Sequence, residues 1–140
     1  MTWNPYGLDH LAHEIVLQAR HRDSESLNQA YKMRAACAYG LERFWGEHLR
    51  LADKEINKAE FVADTWKRFV GILHRAHPDL KLPGTMLSNS QTEAEIQAAA
   101  HQIWLLDPQE HQISLTVLTA LCDSIVWWTQ RLKLPRAGDH

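Results

Sequence analysis

Nine histidines stand in this chain of 140 residues, and most of the chemistry it could do begins with them. His10 and Glu14 are four residues apart, so on a helix they share a face, and His13 lies in the same turn. Such a group can hold a metal ion if another helix brings a further ligand, and His48 is the candidate. No His-Glu-x-x-His and no Cys-x-x-Cys accompanies it. The expectation is scattered surface histidines, with no metal site and no cofactor. Arg43 precedes His48 with four residues between, and Arg68 precedes His74 with five. An imidazole can move a proton of a ribose hydroxyl or a leaving oxygen, and a guanidinium can steady phosphate charge. Cys37 and Cys122 sit in apolar helical patterns, which predicts buried free thiols of a reducing compartment. An apolar stripe raises a thiol's pKa, so Cys37 is a poor candidate nucleophile.

The cations suggest a different use. The formal net charge is −2, so there is no overall basic field to attract nucleic acid. The charge is uneven along the chain, however. Residues 20–81 hold twelve Lys/Arg against nine Asp/Glu, whereas residues 82–132 hold Arg131 against Glu93, Glu95, Asp107, Glu110 and Asp123. Lys32, Arg43 and Arg50 fall on one helical face, and Lys54, Lys58, Lys67, Arg68 and Arg75 continue the supply. Such a strip can track phosphates. The competing expectation is a solvated surface with intrahelical pairs, such as Glu47 with Arg50.

Apolar periodicity says what must position these residues. Leu8, Leu11, Ala12, Ile15, Val16 and Ala19 recur at helical spacing and predict a first helix over about 7–22, with Pro5 and Asp9 suited to its first turn. Asp23 or Ser24 caps a second helix, with Leu27, Ala30, Tyr31, Cys37, Ala38, Leu41, Phe44, Trp45 and Leu49 inward. Gly40 and Gly46 weaken it and mark a close crossing or a kink. A third helix spans about 56–76, with Val62, Trp66, Phe69, Val70 and Leu73 inward, and His77-Pro78 ends it. A loop carrying Pro83-Gly84 follows. Ser90 and Glu93 form a capping box for a fourth helix over about 91–105, with Ile96, Ala99, Ala100, Ile103 and Trp104 inward. Asp107-Pro108 opens a fifth helix to about Leu134, with Ile113, Val117, Leu121, Ile125, Trp128 and Leu132 inward. Trp127, about 100° from Trp128 on a helix, points outward, and Trp3 is a further candidate for exposure. The fold class expected is all-α: one compact bundle of about five helices over 1–140, with a short flexible tail at 135–140. The stretch Ser114 to Trp128 is too short and too polar to span a bilayer, and no leader pattern opens the chain, so a cytoplasmic location is expected.

Two resemblances follow from these residues. Arg43-Phe44-Trp45-Gly46-Glu47-His48 and the stretch Arg68 to His74 resemble the arginine–histidine signature of the HEPN ribonucleases, which implies metal-independent RNA cleavage as one alternative. Ala38 to Trp45, a helix containing a glycine, and Leu118 to Lys133, a closing helix with tryptophan before basic residues, resemble the small subunits of type III CRISPR effector complexes. That resemblance implies an all-helical subunit of antiviral defence without catalysis of its own. Its partners would be the guide and target RNA backbone, other protein subunits, and further copies of itself. The RNA contacts expected are Arg43, Arg50, Lys54, Lys58, Lys67, Arg68 and Arg75, aimed at phosphates rather than bases. A purely structural helical adaptor is the remaining alternative.

Overall fold

The computed structural model describes residues 7–85 and 92–132. Trp3, Pro5, Ser90 and the expected tail at 135–140 lie outside the described residues. Six α-helices and two short 3-10 turns, with no strand, make up the regular structure of the described residues. The fold is all-α, as the periodicity predicts.

The first helix, α1 (Leu8–Arg22), buries Leu8, Ala12, Ile15, Val16 and Ala19. Asp9 lies at its positive end and Arg20, His21 and Arg22 at its negative end, in keeping with the helix dipole. The Asp23 carboxylate accepts the Glu25 N–H at 3.1 Å and opens a 3-10 turn, Ser24–Asn28. The other Asp23 oxygen accepts from Asn57 Nδ2 at 3.1 Å, fixing this corner to the helix that begins at Ile56.

The stretch expected as one second helix is two. α2 (Gln29–Ala36) passes into a 3-10 turn, Cys37–Tyr39, and ends at Gly40; α3 (Leu41–Leu51) then starts in a new direction. The break is set by Gly40, whose φ of 101° and ψ of 173° lie where side chains with a Cβ are strained. Gly46, by contrast, stays inside α3. The break corrects the predicted inward stripe, because Tyr31 and Ala38 face solvent.

The longest run before the loop, α4 (Ile56–Ala76), matches its predicted span and packs against α1, α2, α3 and the last helix. Its position explains its apolar content: Phe61, Val62, Trp66 and Phe69 are all fully buried. α5 (Glu93–Trp104) begins two residues later than expected, and Thr92 with Glu95 forms its capping box. It packs chiefly on α3, and this one-sided contact leaves Trp104 outward at 66% exposure, not in the core as the stripe suggested. In α6 (Pro108–Leu132), Asp107 and Glu110 cap each other reciprocally at 2.8 and 3.1 Å. α6 lies along α1 and α2. Trp128 is half-buried: its ring lies 4.3 Å from that of His13, and its Nε1 donates to Asp9 at 3.1 Å. Trp127 is 45% exposed, as the spacing predicts.

One apolar cluster draws on all six helices. The loop after α4 is tied to it by two buried indoles. Trp66 Nε1 donates to the Pro83 carbonyl at 2.8 Å, and Trp45 Nε1 donates to the Gly84 carbonyl at 2.9 Å. Trp66→Phe deletes the first bond and leaves a carbonyl without its donor. The expected cost is about 1–3 kcal/mol in urea unfolding, with faster proteolysis within 77–92. Undiminished stability and protease resistance would show that the loop is held by other contacts. Leu121 is fully buried in α6, so Leu121→Ala should cost roughly 2–5 kcal/mol. A loss under about 1 kcal/mol would place that side chain outside the core.

Candidate nucleic-acid interface

α3 and α4 form a helical hairpin around the turn at 52–55, with Phe44 of α3 beside Trp66 of α4 at 6.2 Å between ring centroids. The expected strip must lie on the outer faces of this hairpin. On α3, residues Leu41, Phe44, Trp45, His48 and Leu51 turn inward, so Arg43, Glu47 and Arg50 turn outward together. On α4, Lys67 and His74 lie along the edge next to α3, because Trp66, about 100° away, stacks toward α3. Arg68 and Arg75, seven residues apart, lie along the edge next to α1.

Their partners divide the seven expected cations. Arg50 is held by Glu47 within α3, with Nε at 3.1 Å from both carboxylate oxygens and Nη2 at 2.8 Å from one. Hydrogen bonding to Glu47 raises its pKa further. Lys58 Nζ meets Glu55 at 3.2 Å. Arg68 is the most engaged of the set. Its Nη1 reaches Glu14 of α1 at 3.2 Å, its Nη2 donates to Gln18 at 2.9 Å, and its Nε lies 3.4 Å from Asp64. Arg43 is exposed and sits over the Tyr39 ring, 5.0 Å from the centroid. Lys54, Lys67 and Arg75 are exposed and make no ion pair among the described residues. The outward cations with free charge are therefore Arg43, Lys54, Lys67 and Arg75.

The two arginine–histidine pairs do not converge. Arg43 points outward, whereas His48 is fully buried, about 140° around α3. Burial lowers the His48 pKa, and its neutral ring donates Nδ1–H to the Trp45 carbonyl. Arg68 faces α1 while His74 faces the α3 edge. The suggested metal ligands are also apart. His10 pairs with Glu14 at 3.6 Å on the surface, His13 packs on Trp128, and His48 lies inside α3.

Some participants are absent from the sequence reading. Tyr39 supports Arg43, and Glu14 competes for Arg68 from 54 positions away, a pairing no local spacing encodes. Exposed apolar side chains gather at the end of α5, where Trp104 and Leu105 are 66% and 71% exposed. Among the described residues no helix is long and apolar enough to cross a membrane. Comparison with family models, curated proteins and solved structures finds no match to this chain.

His48 ties the site to pH. Its folded pKa lies below the ordinary value, so the unfolded chain binds the proton more readily. The stability it contributes is complete above about pH 6.5, the unfolded histidine value, and is lost as pH falls from there toward the folded pKa. Urea unfolding from pH 7.5 to 5 should show a steeper decline for the wild type than for His48→Gln. Identical slopes would mean that His48 is protonated as easily folded as unfolded.

Proposed function

We propose that the chain is a non-catalytic helical subunit of a larger ribonucleoprotein, of the CRISPR type its resemblance implies, and that it engages RNA phosphates from the α3–α4 hairpin. The observation that supports this reading most is the run of outward cations Arg43, Lys54, Lys67 and Arg75, which carry no competing ion pair among the described residues. Charged groups left unpaired on neighbouring elements attract polyanions without reading sequence, as a guide–target duplex requires. Arg50, Lys58 and Arg68 are secondary contributors, because each must leave a carboxylate to meet a phosphate. Four cations on a chain of net charge −2 bind RNA weakly alone; neighbouring copies or subunits that align several such strips bind it usefully. Trp104 and Leu105 offer those subunits an apolar foothold, since tryptophan is a favoured anchor at protein interfaces.

A structural adaptor without nucleic acid is the second reading, favoured by the same exposed Trp104 and Leu105. Its contacts would survive nuclease and hardly change with salt.

The test is Lys67→Glu with Arg75→Glu, read by anisotropy of a labelled single-stranded RNA across salt concentrations. Each lost phosphate contact should reduce the slope of log affinity against log salt by about one. The double variant should bind more weakly and with a flatter slope, and neither protein should cleave the RNA. Unchanged affinity and slope in a folded double variant would reduce the hairpin to an ordinary solvated surface. Cleavage abolished by His74→Ala would establish the ribonuclease alternative instead.

A further inference from the structure

On a helix at a protein surface the outward positions ordinarily carry charge, as Lys67 and Arg75 do on α4. α5 departs from this: residues 96–106 contain no Asp, Glu, Lys or Arg. Ala99, Ala100 and Ile103 face inward, and the helix packs chiefly on α3. Its opposite side is open. Ala94, Gln97, Ala98, His101, Trp104 and Leu105 are all exposed, Trp104 at 66% and Leu105 at 71%. Ala94, Ala98, His101 and Leu105 follow one another at steps of four, three and four, the spacing of a seam that meets a second helix. The seam runs about 16 Å, with two alanines at one end that allow a close approach and two large apolar side chains at the other. Carboxylates bound it at both ends. Glu93 and Glu95 stand in the first turn, where the Thr92 N–H donates to Glu95 at 2.8 Å. Asp107 and Glu110 follow the last turn, where the Asp107 N–H donates to Glu110 at 3.1 Å.

We propose that this face of α5 is a docking site for an amphipathic helix of a partner protein, whose apolar stripe lies on the seam and whose Lys or Arg residues flank that stripe at both ends. The proposal deepens the reading of the chain as a subunit of a larger assembly and needs no RNA. Charge complementarity selects the occupant. The four carboxylates repel a polynucleotide and an anionic lipid surface alike. A second copy laid α5 against α5 sets carboxylates against carboxylates in either direction: Glu93 and Glu95 meet Asp107 and Glu110 when the helices are antiparallel, and their own counterparts when they are parallel. A helix with basic flanks meets opposite charge at each end. Between the ends no Asp, Glu, Lys or Arg is stranded beneath it, so docking buries no unpaired fixed charge. Trp104 and Leu105 lose exposed apolar area under such a helix and supply the anchor.

The experiment places a photo-cross-linking amino acid at Gln97 of the full chain in its native cell, with Lys67 on α4 as the control position, and identifies the adducts by peptide mass spectrometry. The expected adduct, at Gln97 and not at Lys67, is a peptide of another protein with apolar residues at helical spacing and Lys or Arg at both ends. That peptide, synthesised, should bind the purified chain, and about tenfold or more weakly to Leu105→Glu. The same loss should follow when its flanking cations are replaced by glutamate, a comparison that decides alone if Leu105→Glu fails to fold. Lys67→Glu with Arg75→Glu should keep the adduct, and Leu105→Glu should keep the RNA affinity of the wild type, so failure of one surface is read apart from failure of the other. An adduct with a second copy of this chain, with RNA or with lipid, a partner peptide without basic flanks, or no adduct above the Lys67 control would each overturn the proposal.

Discussion

The Trp66 indole is the constraint around which the rest is arranged. A ring of this size contributes much apolar burial, but its N–H costs free energy in the interior unless something accepts from it. Trp66 sits at the centre of α4, with Phe44 at 6.2 Å and Phe69 at 5.2 Å between ring centroids. No helical carbonyl is free to accept there, because α4 uses its own in its ladder. The chain solves this by returning after Pro78, so that the Pro83 carbonyl meets Trp66 and the next carbonyl, of Gly84, meets Trp45. Proline and glycine suit the stretch because neither requires a regular element there. The loop is thus held against both helices of the hairpin, and α5 packs beside α3.

This arrangement governs which cations are available. α4 is enclosed on most sides, so its polar face is narrow and shared between edges. On the α1 edge Arg68 has Glu14, Gln18 and Asp64 as partners and works as a strut between helices. Surface pairs contribute little stability individually, but a guanidinium with three partners has less reason to turn toward a phosphate. On the other edge Lys67 has no such competitor among the described residues. Counting basic residues therefore overstates the field of the hairpin, and the distribution of carboxylates among them decides its sign locally. Arg43 differs again, because a ring beneath a guanidinium leaves its N–H fork open to an incoming anion.

Sequence periodicity made the helices legible wherever one face meets one core. α4 matches its predicted span because a Val-Trp-Phe-Leu stripe and a His-Pro stop act together. α2 and α3 were read as one because their stripes continue in phase across Gly40; only the backbone angle shows that glycine ends one helix rather than loosening it. Trp104 was misassigned for a related reason. Its spacing from Ala100 and Ile96 is helical, but α5 packs chiefly on α3, and a helix covered from one side buries a narrower stripe than periodicity suggests. The candidate site was legible as a list of residues and not as a surface, since Glu14 and Arg68 are neighbours only after folding.

The Gly40 break also explains why the chain needs two helices in this place. A continuous helix would have one axis, and its inward face could follow either α6 or α4 along its length. Ending α2 at a residue free to adopt φ of 101° lets Ala30, Met33 and Cys37 pack toward α6 while Leu41, Phe44 and Trp45 turn toward α4 and the loop. The same change of axis leaves Ala38 and Tyr39 on the outside, which gives Arg43 its aromatic support and brings Cys37 to the end of a helix rather than its middle. A backbone position that no other residue occupies without strain thus separates two packing problems, and the exposed cation and the buried thiol are both products of where the chain turns.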